Sequence, residues 1–199
     1  EGVFDEIDGT LPFSKGQRHS VFAGAVMLGC VVQAAVVHAP LFETPLTYTA
    51  SLGKGAFRNG EQIFVSKRIY TNLRIIVGTV TPDPNPDERY HAAALIADLR
   101  EHGFIVEEMF TSSYSCAEVA GGRLVGTIFA WDTLHDIVMG HCLVTEAGGT
   151  TSDLDGGVLD FEQNNPKGYI MAGHPEIHRQ LVKIVKHHRR TPAKESRAA

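Results

Sequence analysis

The stretch Val3-Phe4-Asp5-Glu6-Ile7-Asp8-Gly9-Thr10 constrains this chain more than any other part of it. A short apolar lead reads as a strand. It closes on two aspartates three positions apart, followed at once by a glycine, a hydroxyl residue and Leu11-Pro12-Phe13. A strand that ends in carboxylates and turns through open backbone amides can hold hard cations against a phosphate. Such cations want oxygen ligands, and magnesium takes one or two protein carboxylates plus water and substrate phosphate. The amides of Gly9 and Thr10 would face that phosphate like those of a helix start. Read alone, Asp-x-x-Asp-Gly is equally at home in a plain turn, where Asp and Gly serve positive φ and local side-chain bonds. A calcium hand is excluded, because LPFSKG brings no further acidic ligand and no closing glutamate.

The punctuation of the chain sets its organisation. Residues 3–7, 22–28, 33–38, 47–50, 55–57 and 62–65 read as strands of one antiparallel sheet, with a turn or short helix at 12–16. Gly29-Cys30 joins two of these strands, Leu52-Gly53-Lys54 tips a hairpin, and Asn59-Gly60 is a strong turn signal. The character changes after Lys67-Arg68. Strands at 73–80, 104–109, 125–130 and 169–172 then alternate with helices at 90–102, 112–119, 137–147 and 175–187. The first helix follows the rigid loop at 81–86, is favoured at its start by Asp87-Glu88, and stops at Gly103. Ser112 or Ser113 caps the second, which ends at Gly121-Gly122; Gly148-Gly149 closes the third, and Pro175 opens the fourth. Strands alternating with helices imply an α/β layer. The expected fold is therefore α/β, with residues 1–68 holding the loop and antiparallel sheet, 69–188 an α/β subdomain, and 189–199 a polar, disordered tail.

Composition excludes several functions. A net charge of -5 argues against nucleic acid as the main partner. The longest apolar run, 21–39, is broken by Gly24, Gly29, Gln33 and His38 and does not make a membrane span. Cys30, Cys116 and Cys142 are irregularly spaced and form neither a disulfide framework nor a zinc site; they read as buried, reduced thiols of a cytoplasmic protein. Of the ten histidines, His19, His38, His91 and His102 are isolated and His187-His188 lie in a basic tail segment, which points away from a histidine metal site. A Walker loop, a Rossmann fingerprint and a G-x-S-x-G elbow are all absent.

DEIDGTLPFSKG resembles the DPIDGTxNFxxG signature of the inositol monophosphatase family of magnesium-dependent, lithium-sensitive phosphatases. Three further segments agree in order. Residues 35–60 are similar to the family's hairpin region, Gly122-Arg123-Leu124-Val125-Gly126 to its GRLDG turn, and His135-Asp136 followed by Val144-Thr145-Glu146-Ala147-Gly148-Gly149 to its WD…EAGG segment. Trp131-Asp132 is a decoy for the Trp-Asp pair. Nine residues separate the family's metal aspartate from EAGG, and nine separate Asp136 from Glu146. On that register His135 packs in the tryptophan's place. The plainer reading of Asp136 is a helix N-cap.

The resemblance implies an alternating α-β-α-β-α sandwich, here without its N-terminal helices. It implies hydrolysis of a small phosphorylated metabolite, inositol-phosphate-like or related, with Mg²⁺ as cofactor, and commonly a homodimer. Carried over residue by residue, Asp5, the backbone carbonyl of Ile7, Asp8 and Asp136 hold metal. Gly9 and Thr10 grip phosphate, Thr10 and Asp8 serve catalysis, and Thr111 touches substrate. The chain also departs from the pattern. Glu6 stands for the family's proline and is expected in solvent. Phe129 stands where an acidic residue contacts the substrate's hydroxyls, which leans the substrate away from polyols. Phe110-Thr111-Ser112 replaces a Gly-Ser/Thr-Ala segment. In the family a helical pair and a hairpin precede DxIDGT, carrying a metal-bridging glutamate and a water-orienting aspartate. The expectation is therefore a piece of a longer enzyme. Its alternative is a catalytically impaired homologue acting as a dimerisation or regulatory partner.

Overall fold

The structure, a computed structural model, describes residues 1–78, 92–130, 134–162 and 168–190. The 81–86 loop, the Trp131-Asp132 pair and residues 191–199 lie outside the described residues.

Six strands form one antiparallel meander in chain order: β1 (Gly2–Asp8), β2 (Val21–Leu28), β3 (Val31–Ala39), β4 (Leu46–Ser51), β5 (Gly55–Arg58) and β6 (Glu61–Ile63). The short helix α1 (Thr10–Ser14) links the first two. Alternation is the reason one face closes: Val21, Ala23, Ala25 and Met27 are buried, while Phe22, Val26 and Leu28 point out. Asn59 and Gly60 both take positive φ, 49° and 85°, the pair of left-handed residues that a tight hairpin demands. The last strand stops at Ile63, not at 65 as its β-branched residues suggest. The Val65 N–H leaves the sheet and donates to the carbonyl of Ala147 instead.

The second sheet has the order β10-β11-β9-β7-β8, built from β7 (Arg74–Gly78), β8 (Ile105–Glu108), β9 (Gly126–Phe129), β10 (Thr150–Ser152) and β11 (Tyr169–Ala172). The β7 strand runs parallel to β8 and β9, while β11 is antiparallel to β9 and β10. Helices α3 (Ser112–Ala120) and α4 (Leu134–Glu146) lie between the two sheets and touch both. They approach closely: a Cβ at Gly140 would sit 2.6 Å from the Cys116 sulfur. Helices α2 (Ala92–Glu101) and α5 (Pro175–Arg190) cover the far side of the second sheet. The layers therefore run sheet, helices, sheet, helices, with one apolar core on each side of the second sheet. This is the layered α/β fold that the sequence implies.

Several local expectations are corrected. Thr111, not Ser112 or Ser113, is the N-cap of α3, and it makes no side-chain cap bond. Asp136 is the third residue of α4, in its first turn, not at a cap position. His135 is exposed on that turn and does not pack in the tryptophan's place. Cys30 is exposed at the β2–β3 turn, whereas Cys116 and Cys142 are buried as expected. The α5 helix runs through Arg190, past the expected tail boundary at 189. Among the described residues no helix is long and apolar enough to cross a membrane.

Candidate active site

In a regular strand Asp5 and Asp8, three positions apart, would point to opposite faces. The β1–β2 register prevents this. Asp5 pairs with Ala23 and Asp8 with Val21, so one extra residue is inserted between them on β1. A bulge of this kind re-aims side chains, and the Asp5 carboxylate fastens it by accepting the N–H of Ile7 at 2.9 Å. Both aspartates then face the first turn of α4. Carboxylate oxygens of Asp5, Asp8 and Asp136 all lie within 4.8 Å of one another, with Asp8 buried and the other two half-buried. Glu6 points to solvent, as expected.

Asp8 has a second role that residue spacing did not foretell. Its Oδ2 accepts the backbone N–H of Ser113 at 2.7 Å and the Ser112 hydroxyl at 3.4 Å. The carboxylate thus caps α3 from a strand more than a hundred positions away, in the place left by a Thr111 that makes no cap bond. The run Thr111-Ser112-Ser113 at a helix start was the available signal; a partner so distant in sequence was not. Burial is the main cause that raises the Asp8 pKa to about 7, with the Asp136 charge next, while the bond from the Ser113 backbone pulls it down. Burial also raises Asp5, again helped by Asp136 and opposed by the bond from Ile7. The crowding favours protons on Asp5 and Asp8, or a cation among the three carboxylates.

Gly9 follows directly, at φ 86° and ψ 48°, a left-handed conformation that glycine adopts without cost. Its carbonyl accepts the Ser20 hydroxyl at 2.9 Å and the Phe13 N–H at 2.9 Å, which fixes the loop against β2. Ser20 is a positioning residue that the sequence reading missed. Gly9 also lies so close to Thr111 that a Cβ would overlap its hydroxyl. Thr111 is fully buried there, and its Oγ1 and the Oγ of Ser113 find no hydrogen-bond partner among the described residues. Thr10 opens α1 and is exposed. Phe129, by contrast, is core. It is 5% exposed, stacks on Tyr169 at 5.4 Å, and fills the space a side chain at position 78 would need.

The donor set fits a hard divalent cation. Three carboxylates converge, and no imidazole or thiolate joins them among the described residues. The raised carboxyl groups fit the same conclusion, since a cation would offset their mutual repulsion.

Comparison with known proteins now adds to the geometry. The profile of the inositol monophosphatase family matches residues 3–190. An inositol-1-monophosphatase from Mesorhizobium japonicum is 33% identical, over 92% of this chain and 66% of its own length. The Nus factor SuhB of Pseudomonas aeruginosa is 29% identical, over 94% of this chain and 67% of its own. Among solved structures, the Thermotoga maritima IMPase superposes with a TM-score of 0.81 at 26% identity, covering 94% of this chain and 68% of that one. The chain therefore spans about two thirds of the length of the relatives it matches.

Proposed function

The chain belongs to the inositol monophosphatase family, and on that premise we propose that it carries the core of a Mg²⁺-dependent phosphomonoesterase acting on a small phosphorylated metabolite. Family membership supports a phosphatase. The observation that carries it is the convergence of Asp5, Asp8 and Asp136 within 4.8 Å, at the start of a glycine turn.

Asp5, the carbonyl of Ile7, Asp8 and Asp136 would hold the metal. Bound there, Mg²⁺ would supply Lewis acidity, making water nucleophilic near neutral pH and offsetting charge on the leaving oxygen. The chain's own groups do the remaining work. Gly9 and Thr10 amides bind the phosphate oxygens, and the Thr10 hydroxyl orients the attacking water. Asp8, fixed by Ser113 at 2.7 Å, cannot swing out of the site. Its anchoring joins the loop to α3, so the phosphate-binding turn and the acidic cluster keep one geometry.

Release of inorganic phosphate from a panel of monoesters, with and without Mg²⁺, tests the reading. Turnover should require the cation and fall at least a thousandfold in Asp5→Asn. Metal-independent turnover, or near-normal turnover by that variant, would sink it. A regulatory partner without turnover is the second reading. The relatives named SuhB and the apolar residues at 110 and 129 favour it, and a folded, metal-binding protein inert on every ester would establish it.

A further inference from the structure

We infer that this chain carries a second binding site, apart from the acidic cluster, for a small protonated amine with an apolar ring. A cavity of about 240 Å³ opens where the β2–β3 turn, the β4–β5 hairpin tip, the last turns of α4 and the segment after β10 meet. Val32, Cys142 and Leu159 are buried in its wall, and Phe161 joins them. Cys30 lies exposed on its rim. The metal carboxylates are elsewhere. Asp136 is in the first turn of α4, whereas Glu146, which lines the cavity, is its last residue, about 15 Å further along the helix.

Size and lining choose the body of the ligand. A cavity of about 150 Å³ holds a benzene ring, so this one takes a single ring with a short arm. The ring withdraws apolar surface from water against Val32, Cys142 and Leu159. Phe161 is braced by the edge of His141 at a centroid distance of 5.1 Å, and the His141 Nδ1 lies 2.7 Å from the Thr151 hydroxyl. Charge chooses the arm. The Glu146 carboxylate accepts the N–H of Gly53 at 2.9 Å through one oxygen and that of Gly55 at 2.8 Å through the other. Those bonds fix it in place and leave each oxygen a further lone pair. Among the described residues no lysine or arginine pairs with Glu146 or lines the cavity. Lys54, between the two glycines, is exposed and stays outside the lining. His141 adds no positive charge near neutral pH, because burial lowers its pKa. At the rim Glu162 accepts the Cys30 thiol at 3.4 Å, and Asp160 accepts the Glu162 N–H at 2.9 Å. An ammonium group therefore meets carboxylates from α4 and from the rim, and an anion is repelled.

Titration calorimetry in excess Mg²⁺, which competes for the acidic cluster, would compare benzylamine with benzyl alcohol, which keeps the ring, and methylamine, which keeps the charge. Benzylamine should bind about fivefold or more tighter than either. Glu146→Gln should weaken benzylamine by about fivefold and leave benzyl alcohol within about twofold. Glu146 also holds the hairpin tip, so a second measurement needs no substitution. Saturating benzylamine should slow the labelling of Cys30 by iodoacetamide severalfold in the wild type, read by mass spectrometry, and methylamine should not. Equal affinities for the amine and the alcohol, an affinity indifferent to Glu146→Gln, or labelling of Cys30 indifferent to benzylamine would overturn the inference. None of these outcomes touches the phosphatase reading, whose site lies at the other end of α4.

Discussion

A Cβ at position 9 has nowhere to go. The backbone sits at φ 86°, where an L side chain is strained by about 1–2 kcal/mol, and the Thr111 hydroxyl occupies the space the new atom would fill. Gly9→Ala should therefore destabilise the fold by about 2–4 kcal/mol, beyond the strain alone. Removing the obstructing oxygen should recover part of the loss. In a Thr111→Ala background the cost of Gly9→Ala should shrink by about 1 kcal/mol or more, read from urea midpoints in a double-mutant cycle. Additive costs would mean that the two residues do not press on one another. The same contact explains why Thr111 is legible as a site residue only in part. Its position in the pattern is visible in the sequence. Its buried, unpartnered hydroxyl depends on a loop from the other end of the chain.

Among the elements, those set by local rules were legible and those set by distant partners were not. The alternation of β2, the left-handed pair Asn59-Gly60 and the stop of α2 at Gly103 follow from short-range sterics and patterning. The three-residue β10 carries too short a pattern to read; pairing with β11 makes it a strand. Helix α3 looks half-polar in sequence, yet every one of its residues is buried, because two sheets enclose it. Its Glu118 survives burial by accepting the Tyr48 hydroxyl at 2.6 Å and pairing with Arg123. Helix α5 holds a comparable buried group. His178 is 8% exposed, with its Nε2 2.8 Å from the Ser152 hydroxyl on β10, and burial lowers its pKa below the ordinary 6.5. The unfolded chain thus takes up this proton more readily than the folded one. The associated stability is complete above about pH 6.5 and is lost as acid drives the buried ring to charge. The His178 share, read as the difference in urea midpoint between the wild type and His178→Gln, should shrink between pH 7.5 and 5, against the opposite trend of the buried Asp8 carboxyl. His141, lowered by its own burial, acts in the same direction as His178. A slope unchanged by His178→Gln would remove α5 from the pH response.

At the scale of the molecule, the acidic cluster ties layers together. Asp5 and Asp8 belong to the first sheet, Asp136 to a helix between the sheets, and Asp8 also caps α3. Closing these carboxyls on one another opposes folding, and the raised pKa values of Asp5 and Asp8 express that opposition. A carboxyl held at about 7 keeps its proton in the folded state after the unfolded chain has lost it. Its contribution to stability is therefore present in acid and disappears as pH rises from about 4 through 7. A cation reverses that trend, because it binds the ionised cluster and only the folded chain assembles it. At a hundredfold excess over Kd the gain is about 2.7 kcal/mol. For a chain of this size that is a rise of roughly 5–10 °C in Tm. Thermal unfolding in EDTA and in millimolar Mg²⁺ should show this rise at pH 8 and a much smaller one at pH 5.5, where protons compete for the same oxygens. Asp136→Asn should remove most of the rise, while Asp8→Asn should raise Tm in EDTA by relieving the crowding if the new amide keeps the Ser113 bond. A Tm indifferent to Mg²⁺ at pH 8, or a rise that survives Asp136→Asn, would mean that the three carboxyls do not act as one cation site.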